Sequence, residues 1–498
     1  MALLDLLAIE TFSYTPHLET TGEICISEVR EGQSIAFAFV DVDNPDDGLP
    51  LPIRLLGGRK ARKVAEFKRL STAQGVPILD VPPLPVAACQ AAFAFANAMP
   101  ETVHGLKRLT YKGAALGMGV ASSLISHTGE SEPDPAEFRD LIRRYLEASA
   151  LIYETACLLL HRYSPKSVLV FNGRFACSKP IAEAANRLQV KCLFHERGAT
   201  LERYEIFDKP VHDFSYIRER IQTAWESAPS KRDDIGRAFF LRRRDGDGIG
   251  WESFIDAQKR GRYPHRKALR RLVFFSSSDD EFSAVGDLVH HHLFQSQKHA
   301  IGFLIEWVGD QPDAELVIRV HPHLRKKSMQ ERNWWNGLEG VNVTLVPADS
   351  EVDSYGLAES ADIVLTYGST MGVESAFMGK PVILLGDGLY SGLGCVHEPK
   401  TLDDLRAMIA ISALPPLSAY NCLPYGYYYL TYGRPYRFYQ PTTLWKGAFL
   451  GVELSAELGL ILAFKRFLVG SKQKIQLAKT NPRSVFSRVC HTFCCRTR

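Results

Sequence analysis

Short apolar runs alternate with longer amphipathic stretches along most of this chain. Leu6-Leu7-Ala8-Ile9 opens the series. Ser34-Ile35-Ala36-Phe37-Ala38-Phe39-Val40 follows, with the unbroken apolar character of a strand buried on both faces. Between them lies a polar stretch, TFSYTPHLETTGE, that runs into a helical pattern ending near Arg30. Apolar spacing then predicts helices over 60–73, 137–162 and 180–188. It predicts strands over 76–79, 167–171 and 190–194, the last ending in His195-Glu196-Arg197-Gly198.

From about residue 228 to 271 the pattern changes. Arg242, Arg243, Arg244, Lys259, Arg260, Arg262, Arg266 and Lys267 crowd together with Gly246, Gly248 and Gly250. The stretch reads as a partly helical connection with a solvated charged face. A second alternating series begins at Leu272-Val273-Phe274-Phe275 and continues with a helix over 297–308 and strands over 315–320 and 341–346. After a short helix over 353–360 comes TYGSTMGVESAFMGKPVILLG, Thr366 to Gly386: strand end, tight loop, helix, strand. Alternating strands and helices imply parallel sheets, so the expected fold class is α/β, with two doubly wound, Rossmann-like halves facing a cleft. The expected division is 1–227, a connection over 228–271, a second half over 272–435, and a C-terminal helix and basic tail over 436–498.

Ligands of open α/β sheets bind outside the carboxyl ends of the strands, which selects the polar loops at those ends. In the second half, Arg319 and His321 lie two apart at a strand end, and Pro322 fixes the exit of the chain. An imidazole there can donate to a phosphate oxygen or simply cap the strand. The loop Gly368-Ser369-Thr370 opens a helix whose N-terminal N–H groups suit a phosphate. Gly372 lets that phosphate approach closely, and Glu374 one turn in can accept both hydroxyls of a ribose or merely complement the helix dipole. In the first half His17, Asn172, Arg174 and Glu196 lie at strand ends. Glu196 is the candidate general base, Arg174 suits a carboxylate, and a loop salt bridge is the alternative for each. Asp279, Asp280 and Glu281 either cap the following helix or face the second substrate.

Composition narrows these readings. The chain has 498 residues, 46% of them hydrophobic, enough for two or three domains. Its ten cysteines are scattered without a CxxC pair, which suits a reducing, cytosolic compartment. MALLDLLAIETF has no basic leader and reads as a first strand. The net charge of +3 conceals an asymmetry. From Leu458 onward there are nine Lys/Arg and no Asp/Glu, so the rest of the chain carries −6. The mildly acidic body argues against nucleic acid, and the basic tail offers a contact for anionic lipid on the inner face of a membrane. GAFLGVELSAELGLILAFKRFLVG, 447–470, is long enough to span a bilayer, but Glu453 and Glu457 share one helix face, so a helix packed on the body is expected. His290-His291-His292 would point about 100° apart on a helix. Cys490, His491, Cys494 and Cys495 lack zinc spacing, so no metal site is expected. No Walker loop, GxGxxG or GxSxG is present.

Taken together, Arg319-Val320-His321-Pro322, Ala361-Asp362-Ile363-Val364, Gly368-Ser369-Thr370-Met371-Gly372-Val373-Glu374 and Gly379-Lys380-Pro381-Val382 resemble the capsule polysaccharide biosynthesis protein family. Asn172-Gly173-Arg174, His195-Glu196-Arg197-Gly198 and the TPHLET opening add to the likeness, which covers roughly residues 5 to 410. Members are GT-B-type glycosyltransferases and include bacterial Kdo transferases. The resemblance implies a nucleotide-sugar donor in the second half, with Arg319, His321, Ser369, Thr370, Gly372 and Glu374 around it. It implies a glycan or glycolipid acceptor in the first half, where the candidates are His17, Asn172 and Arg174, with Asp279 of the second half facing it. It implies transfer without a bound metal or other cofactor. Arg319 stands where Kdo-family members often carry lysine, which keeps the charge. A polyol-phosphate transferase on the same fold, or a non-catalytic assembly protein, is the alternative.

Overall fold

The structure, a computed structural model, describes residues 4–43, 45–47, 58–249, 257–278, 283–289 and 293–454. Its first sheet is built from β1 (Leu6–Glu10), β2 (Ile35–Phe39), β3 (Ile78–Leu79), β4 (Ser167–Phe171), β5 (Lys191–Arg197) and β6 (Arg203–Phe207). The order is β6-β5-β4-β1-β2-β3, parallel from β5 to β3, with β6 antiparallel to β5. The second sheet holds β7 (Arg270–Phe275), β8 (Ala314–Arg319), β9 (Val343–Val346), β10 (Ile363–Thr366) and β11 (Val382–Leu384). It is parallel throughout, in the order β11-β10-β7-β8-β9. Counted from its own first strand, each half therefore runs 3-2-1-4-5. The strand order reverses between β1 and β4 in one half, and between β7 and β10 in the other. The doubly wound reading of the sequence holds.

The apolar runs form strands because both of their faces are covered. In β1, Leu7 and Ile9 pack on one side of the sheet and Leu6 and Ala8 on the other, all nearly inaccessible. In β8, Leu316 and Ile318 face one core and Val317 the other. Helices 86–96, 103–108 and 116–128 fill a stretch that the apolar spacing leaves unassigned. The polar TTGE is helical, since the first helix spans His17–Arg30.

The basic connection contains a full helix, Arg232–Arg244. Its Phe240 stacks on Phe377 of the helix Thr370–Phe377, with ring centroids 4.3 Å apart. Its Phe239 meets Tyr425 of the helix Leu423–Thr431. One apolar cluster thus runs from the first sheet through these helices to the second.

After the second sheet the chain returns to the first. β12 (Arg434–Pro435) pairs antiparallel with β6. A three-stranded meander follows, β13 (Tyr439–Thr443), β14 (Lys446–Phe449) and β15 (Val452–Glu453). This corrects the helix expected from 447 onward. Leu450 and Gly451 both take positive φ, 51° and 79°, the two-residue turn that matches the twist of paired strands. The rest of that expected helix and the basic tail lie outside the described residues, as do Asp279, Asp280, Glu281 and His290 to His292. Among the described residues no helix is long and apolar enough to cross a membrane.

Candidate functional site

Where β7 and β10 diverge, their carboxyl ends open a pocket of about 710 Å³, solvent at its mouth included. Ser276, Arg319, His321, Ser369, Thr370 and Glu374 line it, joined by Arg243, Asp247, Gln258, Ser354 and Tyr355. A crevice at the reversal of strand order is where this architecture binds ligands.

His321 is held at both ends of its residue. Its backbone N–H donates to Ser276 Oγ at 2.7 Å. Its Nδ1 accepts from the His323 N–H at 3.2 Å, so a neutral ring carries its proton on Nε2, a donor. Ser369 caps its own helix, accepting from the Met371 N–H at 3.4 Å. Its N–H is taken by Thr366 Oγ1 at 2.9 Å. Thr370 is exposed at the first helical position. Gly372 is buried behind the loop and does not itself line the pocket. A Cβ there would sit 2.4 Å from the Tyr390 hydroxyl, which donates to the Ser369 carbonyl at 2.7 Å. The glycine therefore seats the tyrosine that fixes the loop.

Arg319 takes a different posture from the one expected. Two of its nitrogens donate to the carbonyls of Pro347 and Ser350, at 2.6 and 3.3 Å, so it braces the loop after β9. Burial pushes its guanidinium down to about 10.

Glu374 is almost wholly buried. Arg243 Nη2 donates to its Oε1 at 3.2 Å, and the Tyr355 hydroxyl donates to its Oε2. The Glu374 carboxylate raises the guanidinium of Arg243 above its usual value, and burial together with Glu374 raises the Tyr355 hydroxyl. Neither partner is marked by its local sequence. Arg243 sits in a run of three arginines that reads as a solvated face, and it meets a residue 131 positions away.

The first half repeats the arrangement at its own reversal, between β1 and β4. Asn172, left-handed at φ 57°, donates from Nδ2 to Glu196 Oε2 at 2.7 Å, and its Oδ1 accepts from the Arg174 N–H at 3.3 Å. Glu196 Oε1 accepts from the Arg197 N–H at 3.0 Å. His17 packs against Phe171, with centroids 3.7 Å apart and the rings tilted by 33°. Burial, then the charge of Arg197, holds its imidazole well below the ordinary value. His212, whose Nε2 lies 3.4 Å from Asn172 Nδ2, is lowered to about 3 by burial. Behind these, His195 is buried inside β5 rather than in the loop. Its Nε2 lies 2.9 Å from Thr21 Oγ1 and 3.7 Å from Glu10 Oε2. His17, Asn172, Arg174 and Glu196 thus come together, but in a group separate from the lining of the second-half pocket. Among the described residues no cluster of three or more His, Cys, Asp or Glu could hold a metal.

Residues 285–407 match the sequence model of the family described as Capsule polysaccharide biosynthesis protein. The match contains β8 to β11 and every second-half residue singled out above from Arg319 to Glu374, so the resemblance read from the motifs holds there. No curated protein matches the chain in sequence. Similar solved structures include the beta Kdo 2,4 and beta Kdo 2,7 transferases of Thermosulfurimonas dismutans KpsC, at 16% and 15% identity. They cover 52% and 54% of this chain and 78% of each of those chains, with TM-scores of 0.36 and 0.33. The S. aureus MnaA–UDP structure is similar at 9% identity over 84% of this chain and 93% of that one, with a TM-score of 0.26. The fold is defined by the two parallel sheets themselves.

Proposed function

We propose that this chain is a glycosyltransferase of surface-polysaccharide synthesis that moves a sugar from a nucleotide-sugar to a glycan or glycolipid acceptor. One observation carries the reading: a polar pocket at the strand-order reversal of the second sheet gathers His321, Ser369, Thr370 and Glu374, within the stretch that matches the capsule family. In this account the second half binds the donor and the first half the acceptor. Glu374, its carboxylate held by Arg243 and Tyr355, keeps lone pairs for ribose hydroxyls. The His321 imidazole and the Ser369–Thr370 helix start stabilise charge on the departing phosphate. Glu196, oriented by Asn172, takes the proton of the acceptor hydroxyl. Arg319 acts by holding the loop after β9. Transfer is metal-independent in this account and proceeds on the cytoplasmic side, at the inner membrane surface.

The test is nucleotide release from a panel of nucleotide-sugars, with a bacterial lipid or glycan extract as acceptor. Wild type should release one nucleotide in an acceptor-dependent way. His321→Ala and Glu196→Gln should each lose at least about a hundredfold, the scale of general acid–base and electrostatic contributions. Unchanged turnover in both variants would refute the assignment.

A further inference from the structure

The C-terminal meander lies beyond the matched stretch and has no part in the reading above. It is firmly docked. The Glu23 carboxylate accepts the backbone N–H groups of Arg437, Phe438 and Tyr439 at 2.8, 2.7 and 3.0 Å. Phe449 is fully buried and stacks on Phe67. The β13–β14 turn is therefore fixed relative to the first sheet, and it carries Trp445.

Trp445 is 59% exposed, and among the described tryptophans it alone is exposed. It does not hang free. The Arg197 guanidinium lies over its ring, 4.5 Å from the centroid. Arg197 Nη2 also donates to the Leu444 carbonyl of the same turn at 2.6 Å. Arg197 follows Glu196 directly in β5, and its charge bears on His17. An indole of the first half is thus clamped on one side by the guanidinium of Arg197, whose charge also reaches His17, and left open to solvent on the other. A rigid, open aromatic face costs apolar exposure and gives a flat surface with little ordering to lose on binding. The apolar C–H face of a pyranose ring fits such a surface.

We infer that Trp445 is the stacking platform of an acceptor-sugar subsite on the first half, with Arg197, which follows Glu196 in β5, as the positioning residue that holds its ring. The inference rests on Glu196 belonging to the acceptor half.

Fluorine NMR of the full chain labelled with fluorotryptophan tests it, the Trp445 signal being assigned by its loss in Trp445→Phe. The probes are methyl glucopyranoside, methyl galactopyranoside and methyl N-acetylglucosaminide at tens of millimolar, then CMP, CDP, UDP and GDP. A saturable shift of the Trp445 signal with at least one pyranoside, weakened in Arg197→Lys, is expected. In turnover, Trp445→Ala should raise the acceptor KM by about tenfold and leave the donor KM unchanged, the scale of one lost aromatic contact. A Trp445 signal that no pyranoside moves, or that only nucleotides move, overturns the inference. Nucleotide binding detected in the same samples separates that failure from failure of the transferase reading.

Discussion

Removing Arg243 should expose how the donor pocket is held together. Its Nη2 lies 3.2 Å from Glu374 Oε1, with the Glu374 side chain 2% and the Arg243 side chain 28% accessible. At that separation the Coulomb attraction is about 5 kcal/mol at an effective dielectric of 20, before the cost of taking both groups out of water. Truncating one partner of a buried pair costs about 3–5 kcal/mol, because the other charge stays behind without it. Two features reduce this: Arg243 keeps partial contact with solvent, and the Tyr355 hydroxyl still serves Glu374. Arg243→Met should therefore destabilise the second half by about 2 kcal/mol. For a unit of 150–250 residues, this lowers its thermal midpoint by about 4–8 °C. Adding Glu374→Gln removes the stranded charge, so the double variant should regain more than half of the loss. Differential scanning calorimetry of the wild type, both single variants and the double variant closes the cycle. A midpoint within a degree of wild type for Arg243→Met, or additive losses in the double variant, would refute the coupling.

Other outcomes follow from the same geometry. Gly372→Ala drives a methyl to 2.4 Å from the Tyr390 hydroxyl and should cost about 1–3 kcal/mol, read as a lower thermal midpoint, with weaker nucleotide binding as the loop shifts. Asn172→Gly keeps the left-handed backbone but loses the bond to Glu196, so kcat should fall with little change in thermal midpoint. His17 and His212 are buried with imidazoles held below 6.5, so below that value the unfolded chain binds protons that the folded chain refuses. Stability is therefore complete above about pH 6.5 and falls as pH drops toward the folded values, by about 2 kcal/mol at pH 5 for His212, with His17 adding in the same direction. His212→Asn should flatten the thermal-midpoint profile between pH 7 and 5. Turnover should survive EDTA, which a divalent-dependent enzyme would not tolerate.

Much of the scaffold was legible because it depends on local patterns. Val273, Val317 and Val364 lie in unbroken apolar runs, and only a sheet covered on both faces buries such runs. Small residues at Gly368 to Gly372 mark a loop-to-helix junction wherever they occur. What stayed hidden depends on distant partners. Nothing around Arg243 distinguishes it from Arg242, which pairs locally with Asp247, or from Arg244, which pairs with Glu359 on the surface. Helical spacing extends through 447–453, but Leu450-Gly451 turns the chain back and Phe449 finds its burial against Phe67. Arg319 pairs with carbonyls rather than presenting a free cation, because the loop after β9 offers two of them within reach.

The central claim is that the second-half pocket binds a nucleotide, and titration calorimetry of CMP, CDP, UDP and GDP into wild type and Glu374→Gln tests it most directly. The account predicts saturable binding of one nucleotide class, weakened at least tenfold in the variant as about 1.4 kcal/mol of contact with the ribose hydroxyls is lost. No heat from any nucleotide, or equal affinity in the two proteins, would contradict it.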